Sequence, residues 1–488
     1  MIDRIDALNT FVNNLVWGVP AIICVLGVGI FLTFRSKLVQ FRKLGYAVKI
    51  AIGKLFTKSE SADGATTPFQ SLTTALAATV GTGNIAGVAG AIAIGGPGAV
   101  FWMWIAALLG MCTKFAEVTL AVNFRERNVH GDWVGGPMYY IKNGLSKKWI
   151  WLSYAYACLG VLTVFGTGNA TQVNTITTAI DAALLNYNIV SANSVKTVNL
   201  VIGIIITILI LIILLGGIKR IGAVTEKLVP FMAGVYIILG LGVVFVNIKT
   251  VPHVFQMIFE GAFSPSAATG GVVGSMFLCM KKGVSRGIFS NEAGLGTGSI
   301  AHSSAEVDHP VQQGLIQAFS VYITTLLVCS ATALVILMTK QYNVVADQTF
   351  AGAGTQYIAS YLHDAAGAVI HADPNSPAFT QIGMESVFGK IGPVLVAIAI
   401  FFFAFTSILA YYYIAETNII YLAQKLGLRH NATLVVKISA MLAVGYGSIN
   451  SAGYIWNIGE IGVGMTTWLN IIGMLIIFLT VGRPTIVA

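Results

Sequence analysis

Val80-Gly81-Thr82-Gly83-Asn84 lies inside an apolar run from about Phe69 to Ile94. Hydrocarbon offers no partner for a free backbone N–H or C=O, so a helix crossing a bilayer keeps its hydrogen bonds paired. Two glycines, a threonine and an asparagine at the midpoint of such a helix favour unwinding there. One reading is a helix crossing, where small residues let two backbones approach closely. The other is a break that lines a cavity, because discontinuous helices form the substrate and ion sites of secondary transporters.

Composition sets the surroundings of that stretch. Of 488 residues, 56% are hydrophobic and only 10% charged, against roughly 25% charged in soluble domains. Apolar runs of the ~20 residues needed to cross a ~30 Å core recur throughout, so the chain reads as an all-α polytopic membrane protein. Asp3, Arg4 and Asp6 make a mixed rather than basic leader, and the run from Phe11 to Phe34 is too long for a signal core. It reads as a retained first helix. Cys24, Cys112, Cys158, Cys279 and Cys329 all fall in apolar segments without metal-ligand spacing. They read as small buried hydrophobes rather than disulfide or metal partners.

Breaks between apolar runs predict eleven helices, near 11–34, 69–94, 98–124, 150–185, 198–216, 225–247, 266–300, 311–338, 391–423, 432–448 and 453–481. The fourth is long enough to tilt or protrude, and Lys281, Lys282 and Arg286 interrupt the seventh. Basic clusters go with the odd-numbered helices: Arg35 to Lys58 after the first, Arg125 to Lys148 after the third, Lys219 to Lys227 after the fifth, Lys281, Lys282 and Arg286 with the seventh, and Lys425 with Arg429 after the ninth. The positive-inside rule then puts the N-terminus outside and the C-terminus, with Arg483, in the cytoplasm. The formal charge of +9 needs no nucleic acid to explain it. It belongs to the cytoplasmic face of a plasma membrane, or of an inner membrane in a Gram-negative cell, close to anionic lipid. The basic 35–58 segment is a candidate surface anchor.

With the first helix (1–34) and its basic loop (35–67) set aside, ten helices divide into two groups of five, 68–248 and 249–488. Each group opens on an interrupted helix, the second break being expected between Gly270 and Gly283. Five is odd, so the second group enters from the opposite side, as in an inverted repeat with its site at the midplane.

The N–H groups of Thr82 and Gly83 at the start of a half-helix suit a carboxylate. The freed carbonyls of Ala77 and Val80 suit a hard cation. No carboxylate lies near them, as Mg²⁺ or Ca²⁺ would want, so a monovalent ion fits better. Thr406 and Ser407, adjacent hydroxyls in the aromatic ninth helix, could complete its oxygen shell or merely bond back to their own helix. Phe165 to Asn174 forms a dense polar band in the fourth helix. Gln172 is the candidate there for substrate contact, since its amide both donates and accepts. Lys114 and Glu117, at i and i+3, read as a self-neutralising structural pair, whereas Glu292 and Glu416 have no evident cationic partner in the sequence. A channel would show rings or a pore loop. An enzyme would need a nucleophile–base set or metal cluster in the spans, yet all seven histidines fall in loops or at helix ends.

Gly81-Thr82-Gly83-Asn84-Ile85-Ala86-Gly87-Val88, Gly95-Gly96-Pro97-Gly98-Ala99, Thr113-Lys114-Phe115-Ala116-Glu117, Gly135-Gly136-Pro137-Met138-Tyr139-Tyr140 and Arg286-Gly287-Ile288-Phe289-Ser290-Asn291-Glu292-Ala293-Gly294 resemble the alanine or glycine:cation symporter family. The matches span about residues 70 to 420. The resemblance implies a leucine-transporter-type fold, two inverted five-helix repeats after one extra helix, and sodium-driven uptake of small neutral amino acids. It implies Na⁺ as coupling ion, without another cofactor or an obligatory protein partner. The implied Na⁺ ligands are the Ala77, Val80 and Phe403 carbonyls with the Thr406 and Ser407 hydroxyls. Thr82 and Gly83 would hold the substrate carboxylate, with Asn84 and Gln172 nearby. Ala410-Tyr411 stands where members often carry Gly-Trp, so Tyr411 should reshape the pocket wall. Phe277, in Phe277-Leu278-Cys279-Met280, is bulkier than the family's usual residue and is a second candidate wall. Proton coupling is the nearest alternative and is disfavoured: in similar folds a lysine can replace the ion, and the sixth helix offers only Lys227 at its start.

Overall fold

A computed structural model describes residues 11–53, 65–128, 131–215, 217–263, 272–345, 354–364, 366–426, 429–450 and 452–480. Eight helical stretches are long and apolar enough to cross a membrane: α1 (Phe11–Arg35), α4 (Ala99–Asn123), α5 (Lys147–Asn186), α6 (Val195–Leu214), α7 (Gly217–Val246), α11 (Pro310–Thr339), α12 (Ile391–Leu426) and α14 (Ala452–Thr480). Among them run α2 (Pro68–Thr79) and α3 (Ala86–Gly95), α9 (Val272–Asn291) and α10 (Thr297–His302), and α13 (Arg429–Ile449). A surface helix α8 (Val251–Phe263) follows α7.

Local chemistry starts these helices where the sequence allows. Thr67 makes a capping box for α2: its hydroxyl accepts from the Gln70 N–H at 3.1 Å, and Gln70 Oε1 accepts from the Thr67 N–H at 3.3 Å. Pro68 sits at the first helical position, where its missing N–H costs nothing. The long fourth run is one helical stretch, but its polar band is wound as a π-helix over Val164–Ala170. Such bulges free backbone groups and recur at functional sites.

The seventh run corrects an expectation. Lys281, Lys282 and Arg286 do not interrupt it: α9 is continuous over Val272–Asn291, because Glu460 pairs with Lys282 and Arg286 while the Asn14 and Asn375 amides accept from Lys281 and Arg286. The break comes after Asn291, where Glu292, Gly294 and Gly296 take φ of +57°, +92° and +81°. The Gly270 end of the expected interval lies outside the described residues, as do Asp3, Arg4, Asp6, Lys54, Lys58 and Arg483.

α4 is the central rod, with 83% of its most apolar window buried against 22% for the peripheral α6. It packs on α9 and α11; the interrupted pair α2/α3 packs on α7 and α9; α5 packs on α12 and α14; α6 packs on α13. Two short antiparallel hairpins cap the ends: β1 (Glu126–Arg127) with β2 (Trp133–Val134), and β3 (Asn343–Val345) with β4 (Tyr357–Ser360). The first is clamped by Arg125 and Arg127 over the Trp133 ring at 4.2 and 4.5 Å. Among the described residues every cysteine is free, and Cys158, expected inside, is exposed.

Candidate functional site

The first break falls where the sequence placed it. α2 ends at Thr79, Val80 leaves helical geometry (φ −93°, ψ 76°), and Gly81 is extended before a single 3₁₀ turn over Thr82–Asn84. Asn84 staples this turn. Its amide donates to the Thr79 carbonyl at 2.7 Å and to that of Gly81 at 3.3 Å. Its Oδ1 accepts from Ser290 Oγ at 2.8 Å and Cys329 Sγ at 3.1 Å, while Thr332 donates to its backbone carbonyl at 2.7 Å. Asn84 therefore ties the first interrupted helix to α9 and α11, and its side chain is engaged by protein groups.

Ala77, Phe403, Thr406 and Ser407 are brought together at the end of α2. Ser407 Oγ donates to the Ala77 carbonyl at 2.7 Å across the helix interface and lies 2.9 Å from the Phe403 carbonyl. Thr406 Oγ1 lies 3.0 and 3.1 Å from the carbonyls of Phe402 and Phe403, and 3.6 Å from Met232 Sδ. Ala77, Phe403, Thr406, Ser407 and Met232 are all buried. Val80 is buried beside them, and its own N–H donates to Leu76 at 2.6 Å.

Gln172 reaches the break from α5. Its Oε1 accepts from the Thr82 N–H at 3.1 Å, and its Nε2 donates to the Thr167 carbonyl inside the π-turn at 3.0 Å. Glycine is required where these walls meet. A Cβ on Gly81 would stand 2.5 Å from Ser407 Oγ and 3.0 Å from Gln172 Oε1; one on Gly83 would stand 2.8 Å from Phe289. Three polar atoms in this region have no hydrogen-bond partner among the described residues: Thr82 Oγ1 and both amide atoms of the wholly buried Asn169. An unsatisfied buried amide costs about 1–3 kcal/mol, which marks Asn169 as a functional candidate that the sequence reading left inside its polar band. A signal was there to read: Gly166-Thr167-Gly168-Asn169 repeats Gly81-Thr82-Gly83-Asn84 letter for letter.

Phe277 is not brought to this cluster. It lies 13 residues before Ser290 on the unbroken α9, about 20 Å along the axis at ~1.5 Å per residue, and is only partly buried. Tyr411 is wholly inside, packed so tightly on α5 that a Cβ on Gly168 would stand 2.5 Å from its own. Its hydroxyl donates to Glu292 Oε1 at the second break. A tryptophan has only an indole N–H to offer, so the tyrosine supplies a link between α12 and that break.

Two buried charged groups flank the breaks. Toward the face that carries the α1 N-terminus, Arg286 pairs with Glu460 at 2.7 Å, and Lys282 lies 3.9 Å from the same carboxylate. Asn13 donates to Glu460 at 2.9 Å, and Lys281 donates to Asn14 at 2.7 Å. Arg286 also stacks on Trp456 at 4.5 Å and donates to Asn375 at 2.8 Å. In the loop beside it, burial pushes the Asp373 carboxyl above its ordinary range, against the pull of the Asn375 N–H and Arg286. Toward the opposite face, the ion pair at 4.0 Å is Lys114 with Glu292, not Lys114 with Glu117. Glu292 thus has a cationic partner after all, and His302, at the end of α10 as the sequence placed it, is fully buried between Gln313 and Gln317.

Among solved structures, MhsT in complex with L-phenylalanine superposes with a TM-score of 0.56 over 86% of this chain and 99% of that one, at 13% identity. The two share a fold, that of a multi-pass membrane protein with interrupted helices. The description "sodium:alanine symporter family" matches residues 2–485. YrbD of Bacillus subtilis (strain 168) is 41% identical over 98% of this chain and 90% of its own length. The sodium/alanine symporter AgcS of Methanococcus maripaludis is 36% identical over 97% of this chain and 95% of its own. The chain belongs to the sodium:alanine symporter family and is a membrane transporter of that amino-acid symporter class.

Proposed function

We propose that this chain is a sodium-coupled symporter of small neutral amino acids, alanine or glycine in size, working by alternating access. The observation that carries the reading is the meeting of α2 and α12. There the Ser407 hydroxyl lies 2.7 Å from the Ala77 carbonyl and 2.9 Å from the Phe403 carbonyl, and Thr406 Oγ1 lies 3.1 Å from the same Phe403 carbonyl. With the Val80 carbonyl, these supply neutral oxygens to a monovalent cation. Na⁺ held there ties α2 to α12 and fixes the break beside it. A substrate carboxylate then takes the N–H groups of Thr82 and Gly83, displacing the Gln172 amide oxygen from Thr82, and the half-helix dipole favours that charge. Phe289 and Gln172, within 3.0 Å of a Cβ built on Gly83 and Gly81 respectively, leave room for a short side chain only.

Counting the two interrupted pairs and α13 with the eight spans supports eleven crossings. In this reading α1 precedes two inverted five-helix repeats, 68–248 and 249–488, each opening on a broken helix. The N-terminus faces outward and the basic loops face the cytoplasm of a plasma membrane. Na⁺ and the amino acid are the only partners the transport cycle requires.

Reciprocal binding tests this. In detergent, alanine should bind the purified chain more tightly in NaCl than in choline chloride, and alanine should raise Na⁺ affinity by the same factor, as linkage demands. Alanine affinity identical in the two salts would refute sodium coupling.

A further inference from the structure

The second break is anchored by a buried cluster whose charges do not balance. Lys114 contributes one positive charge and Glu117 and Glu292 two negative ones, and all three are 0% exposed. Glu292 is well served as a carboxylate. Tyr411 donates to one oxygen, Thr297 Oγ1 to the other at 2.5 Å, and the Lys114 ammonium stands 4.0 Å away. Glu117 receives one side-chain hydrogen bond, from Asn470 Nδ2 at 2.7 Å on Oε1, and faces the Gly294 N–H; its Oε2 has no partner at bonding geometry, and neither has Lys114 Nζ. A net negative charge so far from water is costly. The cluster reaches neutrality by taking up one cation.

We infer that this cation is a proton, carried on Oε2 of Glu117, and that the site couples protonation to movement of the second break. A metal ion fits poorly. The Lys114 ammonium already stands 4.0 Å from the Glu292 carboxylate, and a second metal-sized cation beside it would be repelled at close range. Lys114 acts on both carboxyl groups, but only Glu117 keeps an oxygen, Oε2, without a hydrogen-bond donor among the described residues. The remaining titratable groups around it are His302, held between two glutamines, and the hydroxyls of Tyr140 and Tyr156. Tyr140 donates to Asn470 and Tyr156 to the Leu295 carbonyl at 2.9 Å, so each already has an acceptor for its proton.

The linkage to movement is built in. Asn470 donates at once to Glu117 and to the Gly294 carbonyl at 2.8 Å. Glu292 holds left-handed backbone, φ +57°, a geometry disfavoured for a residue with a Cβ. Displacing residues 292–296 would take the Gly294 N–H away from Glu117, release the Gly294 carbonyl from Asn470 and open the carboxyl to the nearer face. Glu117 lies six residues before the end of α4 at Asn123, about 9 Å at ~1.5 Å per residue. Only the O–H bond changes: the proton on Glu117 passes to water, leaving a carboxylate and hydronium.

The test is difference infrared spectroscopy on the purified full-length chain, recorded between neutral and alkaline pH. The wild type should show the C=O stretch of a protonated carboxyl group, and Glu117→Gln should lose it entirely. Glu117→Asp should retain the band at a shifted frequency, which keeps the assignment falsifiable if the glutamine variant folds poorly. A band that survives Glu117→Gln, or that vanishes in Glu292→Gln instead, would overturn the inference. This readout needs no sodium and no transport, so its failure is distinct from failure of the symport reading. In proteoliposomes, the dependence of alanine uptake on pH should also disappear in Glu117→Gln; a pH dependence equal to that of the wild type would count against the site.

Discussion

Ser407→Ala removes one oxygen from the junction of α2 and α12, and its effect can be worked from the contacts. The hydroxyl is buried and bonds the carbonyls of Ala77 and Phe403 at 2.7 and 2.9 Å. A neutral hydrogen bond of this kind contributes about 0.5–1.5 kcal/mol, whereas an interaction with a charged group contributes about 1.5–3. The substitution therefore weakens the ion-bound state more than the ion-free state, by about 1–1.5 kcal/mol. At about 1.4 kcal/mol per tenfold, the sodium concentration giving half-maximal alanine uptake should rise about 5- to 12-fold. The assay is a sodium titration of radiolabelled alanine uptake in proteoliposomes, with Ser320→Ala as control. Ser320 is also buried and bonds a carbonyl of its own helix at 2.7 Å, but it sits on α11. A well-folded Ser407→Ala whose sodium half-saturation matches the wild type would refute the ion site.

Thr406→Ala should raise the sodium requirement similarly with less loss of melting temperature, because that hydroxyl bonds carbonyls of its own helix, Phe402 and Phe403. Gly81→Ala should abolish sodium-dependent alanine binding while the chain still elutes as a folded species, since the added carbon would stand 2.5 Å from Ser407 Oγ. Glu460→Gln leaves Arg286 buried without its 2.7 Å partner and should destabilise the protein by about 3–5 kcal/mol, read as a large fall in detergent melting temperature; a shift within error would contradict the pairing. Tyr411→Phe removes the hydroxyl that donates to Glu292 and should cost about 1.5–3 kcal/mol in the same melting assay without altering sodium half-saturation.

The first break was legible because Val80 to Asn84 has a local cause: glycines and short polar side chains inside an apolar run. The second was misplaced because Lys281, Lys282 and Arg286 look like an interruption when read along the chain. They are tolerated in a continuous helix by Glu460, Asn14 and Asn375, which approach from α14, α1 and an extramembrane loop, and no local pattern reports those neighbours. The true break had its own signal in Glu292-Ala293-Gly294-Leu295-Gly296, where positive φ suits the glycines. The same limitation hid the partner of Lys114: i,i+3 spacing pointed to Glu117, yet the chain folds Glu292 to within 4.0 Å. The π-turn over Val164–Ala170 changes which face Asn169 presents, and helical periodicity carries no trace of that change.

The central claim is that an inward sodium gradient drives amino-acid accumulation through the junction of α2, α5 and α12. The measurement that tests it most directly is uptake of radiolabelled alanine into proteoliposomes, with and without an inward sodium gradient. Accumulation above the external concentration that requires the gradient, and collapses when a sodium ionophore dissipates it, is the predicted result. Uptake indifferent to sodium, or no accumulation with the gradient imposed, would contradict the account.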